Sequence, residues 1–292
     1  MSHATLTGPL AGREADRRYR ARLFQRGTSQ LCATPDPPTL GTLDLSLFIT
    51  CLTDTFYPRA GIAVVRVLEH LGCRVHFPQD QTCCGQPLYN NGFHDDARAL
   101  ARRMVDVFEP AERVVTPSGS CAAMIRDYYG PLLADDHAYA HGAEALVAKT
   151  FEFVEFLVKA LNVDLKDLGV KWPGSATYHF SCHLRGLGVH PASTDAERLL
   201  KQIEGLDYSR MEKVEQCCGF GGTFAMKYPE ISGSIVRDKV QCIQKTGAPT
   251  VVSNDAGCTM NISGACKRHG VDVGFVHIAE VIAEGLGLMD RP

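Results

Sequence analysis

Two copies of one tripeptide, Cys83-Cys84-Gly85 and Cys217-Cys218-Gly219, constrain this chain more than any other feature, because each has one further cysteine far upstream and another far downstream. The first set is Cys51, Cys83, Cys84 and Cys121, with 31 and 36 residues in its two gaps; the second is Cys182, Cys217, Cys218 and Cys258, with gaps of 34 and 39. Eight of the twelve cysteines therefore fall into two parallel patterns, which implies one folding unit used twice.

The surroundings of these sets read as α/β. Leu45 to Thr50 is a buried strand that delivers Cys51, Gly61 to Leu71 has helical spacing at Ile62, Val65, Leu68 and Leu71, and Cys73 to Phe77 is a second strand leading to Cys83-Cys84-Gly85. A helix from about Asp95 to Phe108 precedes the strand Arg113 to Thr116, after which Pro117-Ser-Gly-Ser-Cys121 opens another helix. The order then repeats. A helical connector over Glu144 to Leu161 leads to the strand Ala176 to Phe180 before Cys182, a short helix over Ala196 to Ile203, and a strand around Met211 to Val214 before Cys217-Cys218. A helix over Glu230 to Lys245, the strand Thr250 to Ser253 before Cys258, a strand at Val273 to Val276 and a helix from Ile278 complete it. The fold class expected is α/β, as two tandem, pseudo-symmetric units with mainly parallel sheets. They span residues 45–170 and 171–292, behind a basic tail at 1–44 that holds Cys32 and reads as poorly ordered. In open α/β sheets, reactive groups gather at the carboxyl ends of the strands. Both cysteine sets would converge there.

Composition narrows the chemistry. A net charge of −3 supplies no basic excess to neutralise phosphates, so nucleic acid is not an expected partner. No stretch approaches 18 apolar residues, so no membrane span is expected. With no apolar leader of the secretory type, a reducing cytoplasmic setting is expected, where clustered thiols point to metal or redox chemistry rather than disulfides.

Four thiolates per half suit a four-iron, four-sulfide cluster, since iron in such clusters favours soft sulfur. A glycine after the vicinal pair permits positive φ, which lets two adjacent side chains face one centre. Zinc held by four thiolates is an alternative, although structural zinc sites draw on short Cys-x2-4-Cys knuckles that this chain lacks. Vicinal disulfides and simple packing are further readings, and packing is the expected role of Cys73, Cys242 and Cys266. His179 and His183 flank Cys182 as possible donors to a cluster or as ordinary buried histidines, and Arg185 is a candidate carboxylate anchor or a surface arginine. Tyr89-Asn90-Asn91-Gly92 reads as a turn beside the first set. No catalytic residue is identified.

The motifs Phe48-Ile-Thr-Cys51-Leu, Thr82-Cys-Cys-Gly-Gln-Pro87, Pro117-Ser-Gly-Ser-Cys121, Ser181-Cys-His183, Cys217-Cys-Gly-Phe-Gly-Gly-Thr-Phe224 and His277-Ile-Ala-Glu280 resemble those of the cysteine-rich or CCG domain proteins. That family includes the cysteine-rich component of heterodisulfide reductase and the glycolate oxidase iron-sulfur protein, and the chain looks like its lactate-utilising members. In the widest form of the family motif a fifth cysteine precedes the last one by three positions. Ser118 and Asp255 stand there in this chain. The resemblance therefore implies one or two [4Fe-4S] clusters on Cys51, Cys83, Cys84, Cys121, Cys182, Cys217, Cys218 and Cys258, with Ser118 or Asp255 at most a weaker fifth contact. It further implies an electron-transfer subunit of a cytoplasmic complex that oxidises L-lactate to pyruvate, with a ferredoxin-type iron-sulfur subunit and further subunits as partners. A heterodisulfide-type thiol/disulfide reductase and a zinc-stabilised, non-redox assembly module are the competing functions.

Overall fold

Four short strands from the first half form one parallel sheet: β1 (Leu43–Leu47), β2 (Cys73–His76), β3 (Val114–Thr116) and β4 (Thr150–Glu152), in the order β2-β1-β3-β4. The second half builds its own, from β5 (Lys171–Tyr178), β6 (Glu204–Tyr208), β7 (Thr250–Ser253) and β8 (Gly274–His277), in the order β6-β5-β7-β8. Every pairing is parallel and the two orders are the same, so the repeat seen in the cysteines is a repeat of topology. This computed structural model describes residues 43–191 and 194–292; the arginine-rich tail and Cys32 lie outside the described residues.

The helix Pro58–His70 shows why these segments fold as they do. Proline at its first turn fixes φ where no N–H is needed, and Ala60, Ala63, Val64, Val67 and Leu68 form its buried face. That face is rotated from the expected stripe: Ile62, Val65 and Leu71 are only half-buried, while the small residues Ala60, Gly61 and Ala63 face inward.

Two expectations fail for identifiable reasons. The stretch Glu144 to Leu161 is not one helical connector: a helix Ala140–Lys149 stops at β4, and helical turns resume at Phe153. An apolar pattern of helical period runs straight through a three-residue strand and hides it, while the Thr150 hydroxyl ends the helix by donating to the Leu146 carbonyl at 2.7 Å. In the second half the strand before Cys217 is Glu204–Tyr208, not Met211 to Val214. Strand β6 lies at a sheet edge and buries only parts of Leu206 and Tyr208, so it lacks an apolar signal. Met211 and Val214 are buried from a loop, three residues apart and without strand alternation.

One apolar core joins Leu45 and Leu47 of β1 to Ala176 and Tyr178 of β5, and it includes the last helix, Ile278–Gly285. That helix packs on Pro58–His70 of the first half, where Arg59 pairs with Glu280 at 2.9 Å and Glu284 at 2.7 Å. A second cluster, holding Phe48, Met104, Phe108 and Tyr129, belongs to the first half alone. The strand carboxyl ends thereby stand on a rigid support, and the cysteine loops leave from them.

Candidate metal centre

In the first half Cys51 opens the helix Cys51–Phe56 just after β1, Cys83 and Cys84 occupy the loop after β2, and Cys121 sits in the helix Gly119–Ala123 after β3. These three departures bring the four thiols together as two pairs: Cys51 Sγ donates to Cys83 Sγ at 3.7 Å, and Cys84 Sγ to Cys121 Sγ at 3.3 Å. The second half repeats the arrangement. Cys182 Sγ donates to Cys217 Sγ at 3.8 Å and Cys218 Sγ to Cys258 Sγ at 3.2 Å. Among the described residues every cysteine is an unbridged thiol.

The glycine after each vicinal pair has the backbone the motif calls for, with φ of +85° at Gly85 and +82° at Gly219. This turns backbone N–H groups toward sulfur: Gly85 N to Cys83 Sγ at 3.5 Å, Gly219 N to Cys217 Sγ at 3.3 Å and Phe220 N to Cys218 Sγ at 3.4 Å. Such donors stabilise thiolate over thiol. Hydrogen bonds from Cys51 and Cys84, aided by the Gly85 N–H, bring the Cys83 thiol down to about 3, and those from Cys182 and Cys218 bring Cys217 down to about 2. Their partners are pushed the other way. Cys51 and Cys182 rise because each holds the proton in its pair, and Cys84 and Cys218 rise through thiol contacts and burial. In each half the first cysteine of the vicinal pair is thus the sulfur drawn furthest toward the thiolate form.

The vicinal pairs are also fixed through their backbones, by residues that no motif announces. Tyr129, fully buried, donates its hydroxyl to the Cys84 carbonyl at 2.9 Å, and Asn261 donates to the Cys218 carbonyl at 2.8 Å. Lys239, also fully buried, donates to the Lys213 carbonyl at 3.0 Å and the Val214 carbonyl at 3.5 Å, which ties down the loop entering Cys217. The only sequence signal for these three is a polar residue interrupting an otherwise apolar helical face.

Ser118 and Asp255 take a different part from that of a fifth contact. Ser118 caps its helix by accepting from Cys121 N at 3.3 Å, and Asp255 accepts from Gly257 N at 3.1 Å and Cys258 N at 3.3 Å. Across the halves, the Ser118 hydroxyl donates to Asp255 Oδ2 at 3.0 Å, as does Ser120 N at 3.0 Å. Both side chains are thereby taken up in positioning Cys121 and Cys258.

Between the two sets lie His183 and Gln86. His183 Nδ1 is 3.8 Å from Cys182 Sγ, and its Nε2 is 3.3 Å from Gln86 Nε2, which in turn donates to the Ser120 carbonyl at 3.1 Å. Arg185 is not poised for a carboxylate: its guanidinium donates to the Glu215 carbonyl and lies over the Phe180 ring. Tyr89 stacks on His94 and packs at a tilt against Tyr128 as the chain turns through Asn90 to Gly92. Cys73, Cys242 and Cys266 are buried in the apolar core. His179, also fully buried, has a ring nitrogen within 4.8 Å of both Cys218 Sγ and Cys258 Sγ, and burial brings its pKa down to about 3.

Thiol sulfurs paired along each set, backbone N–H groups directed at them, and flanking oxygens engaged elsewhere make a donor set for a soft, thiophilic metal centre. No helix among the described residues is long and apolar enough to cross a membrane.

The CCG cysteine-rich domain pattern matches residues 45–126 and 176–263, which covers both sets up to their last cysteines. Lactate utilization protein A of an Exiguobacterium species is 46% identical over 246 residues, covering 83% of this chain and 98% of that protein. The protein of the same name from Halalkalibacterium halodurans is 46% identical over 241 residues, covering 82% and 96%. Lactate utilization protein A 2 of Bacillus cereus is 42% identical over 245 residues, covering 84% and 99%. Among solved structures, a hypothetical protein from Helicobacter pylori superposes with a TM-score of 0.58 at 9% identity. That match covers 92% of this chain, which spans 54% of the Helicobacter protein, and at such identity it speaks for the fold alone.

Proposed function

Because this chain belongs to the CCG cysteine-rich domain family, we propose that it is an iron-sulfur oxidoreductase subunit that passes electrons in a complex oxidising L-lactate to pyruvate. The observation that carries this is the doubling of one thiol arrangement, Cys51/Cys83 with Cys84/Cys121 and Cys182/Cys217 with Cys218/Cys258. The eight cysteines would hold one [4Fe-4S] cluster per half, residues 45–170 supplying the first set and 171–292 the second. Its relatives' name, Lactate utilization protein A, supports the substrate.

Bound clusters would supply one-electron donors and acceptors at each half. The chain's own residues do the rest. The Gly85, Gly219 and Phe220 N–H groups hold negative charge on sulfur, and the Tyr129, Asn261 and Lys239 contacts keep the vicinal loops from shifting when that charge changes. His183, Gln86 and Ser120 bridge Cys182 to the segment bearing Cys121, a packed route between the sets. Oxidation of lactate releases two electrons and two protons, so each turnover needs two one-electron passages. The electrons would leave to a ferredoxin-type subunit in a cytoplasmic assembly with further subunits.

Anaerobic reconstitution followed by iron analysis tests this reading. Two cubanes correspond to about eight irons per chain, and Cys84→Ala or Cys218→Ala should each remove about half. Co-purified with its partner subunits, the protein should be bleached by added lactate and recover with an electron acceptor. A colourless product that binds only zinc refutes the proposal in favour of an assembly module.

A further inference from the structure

His179 is a residue beside the second cysteine set whose surroundings are unexplained by packing. It is wholly buried, and neither ring nitrogen finds a hydrogen-bond partner among the described residues. Buried polar atoms are paired in the great majority of native structures, so an orphaned imidazole calls for a ligand or a functional role. Its ring is turned toward sulfur: one nitrogen lies with Cys218 Sγ and Cys258 Sγ in a group whose members are all within 4.8 Å of one another. Among the described residues this is the single group of three or more such donors that compact.

The repeat makes the observation sharper. His179 follows β5 and its N–H donates to the Val252 carbonyl at 2.9 Å, while Phe48 follows β1 and its N–H donates to the Val115 carbonyl at 2.9 Å. Both precede their cysteine, Cys182 or Cys51, by three positions, so they are equivalent in the two halves. At this place the first half buries a phenyl ring, within an apolar cluster that includes Cys84 and Cys121. A phenyl ring fills the position without any polar demand, so the fold needs no histidine there.

We propose that His179 is a nitrogen donor to the metal centre of the second half, taking the place of one of its four thiolates, so that this centre is a mixed thiolate and imidazole site while the first is thiolate only. The inference rests on the reading that the second set binds an iron cluster. It gives the duplicated centres different electronic character, since replacing thiolate with neutral imidazole makes a cluster easier to reduce. Two unlike centres set electrons moving in one direction, which two equal ones would not.

Pulsed electron paramagnetic resonance on the full chain tests this, using protein grown with nitrogen-15 histidine, reconstituted anaerobically with iron and sulfide, and reduced with dithionite. A directly bound imidazole gives a strong labelled-nitrogen coupling, expected in the wild type and in His183→Gln and lost in His179→Phe, the residue the first half already carries. Iron-loaded wild type without such coupling overturns the inference and leaves the proposed function standing, as does a coupling that vanishes in His183→Gln or persists in His179→Phe. Should His179→Phe fail to fold, the wild type and His183→Gln decide the matter between them. Wild-type protein that takes up no iron overturns both readings.

Discussion

Replacing Asp255 by alanine removes four contacts from a side chain that is almost wholly buried. Two are capping bonds, from Gly257 N at 3.1 Å and Cys258 N at 3.3 Å, whose loss costs about 1 kcal/mol by the usual worth of an N-cap. The other two cross between the halves, from the Ser118 hydroxyl and Ser120 N, both at 3.0 Å. Hydrogen bonds to a charged group contribute about 1.5–3 kcal/mol each, but half-exposed Ser120 N–H regains water and the Ser118 hydroxyl can turn to Ser120 Oγ, 3.2 Å away. Together these leave a cross-half cost of about 2 kcal/mol, and a total of about 3 kcal/mol. For a chain of this size that lowers the unfolding midpoint by roughly 6 °C. Asp255→Asn keeps the Oδ1 acceptor and loses the one facing Ser120 N–H, so it should fall about halfway. Thermal unfolding of the metal-free, reduced protein, followed by circular dichroism, measures all three. The decisive number is the double-mutant coupling with Ser118→Ala, expected at about 1 kcal/mol. An Asp255→Ala loss below about 1 kcal/mol, or strictly additive single and double variants, would refute the cross-half bond as a contributor to stability.

Gly219→Ala should destabilise more than Gly85→Ala, by about 1 kcal/mol in denaturant unfolding: both force alanine to positive φ, but the new Cβ meets the Ser232 carbonyl at 2.9 Å in the first case and the Ala97 carbonyl at 3.4 Å in the second. Burial raises Glu152 from the ordinary 4.5 to about 7, so the folded state holds this proton more tightly than the unfolded one. Its contribution is present below pH 4.5 and is lost as pH rises through 7; a comparison of unfolding midpoints at pH 5 and pH 8 should show that Glu152→Gln flattens the decline. Lys239→Met leaves the Lys213 and Val214 carbonyls without their donor, and is expected to cost about 1–2 kcal/mol and to speed iodoacetamide labelling of Cys217 several-fold.

What is legible in the sequence is what depends on short, strongly patterned stretches. Thr250–Ser253 and the start of the last helix at Ile278 can be read to the residue, and the convergence of each foursome follows from strand ends alone. What escapes is decided by partners far away in the chain. Strand β4 exists because β3 lies beside it, and β6 because β5 does; the first is hidden inside a helical-period pattern and the second has too few buried side chains to declare itself. Ser118 and Asp255 stand out in the sequence as absent cysteines, but their capping and their mutual bond depend on two loops, 137 positions apart, that only the fold brings together. His277-Ile-Ala-Glu280 is, in sequence, a motif without a mechanism. The structure supplies one, a capping box whose glutamate also holds Arg59 of the first half.

The same logic explains how two sets of thiols are kept in register with each other. In each half the residue at the end of the last strand caps the following helix and also reaches across: Glu152 accepts from Asn254 Nδ2 at 3.1 Å, and His277 Nε2 lies 3.2 Å from the Pro117 carbonyl. Asn254 and Pro117 belong to the loops that carry Cys258 and Cys121, and those loops meet through Gly119 N to the Asn254 carbonyl at 3.4 Å and through Ser118 to Asp255. Every one of these groups is buried or nearly so, and a buried polar group without its partner costs as much as several such bonds contribute when made. Each half therefore completes the cysteine loops of the other: the carbonyl of Pro117, Nδ2 of Asn254 and Oδ2 of Asp255 all have their partners across the boundary. The separation of the two thiol sets is thereby fixed, as the proposed passage of electrons between them would require.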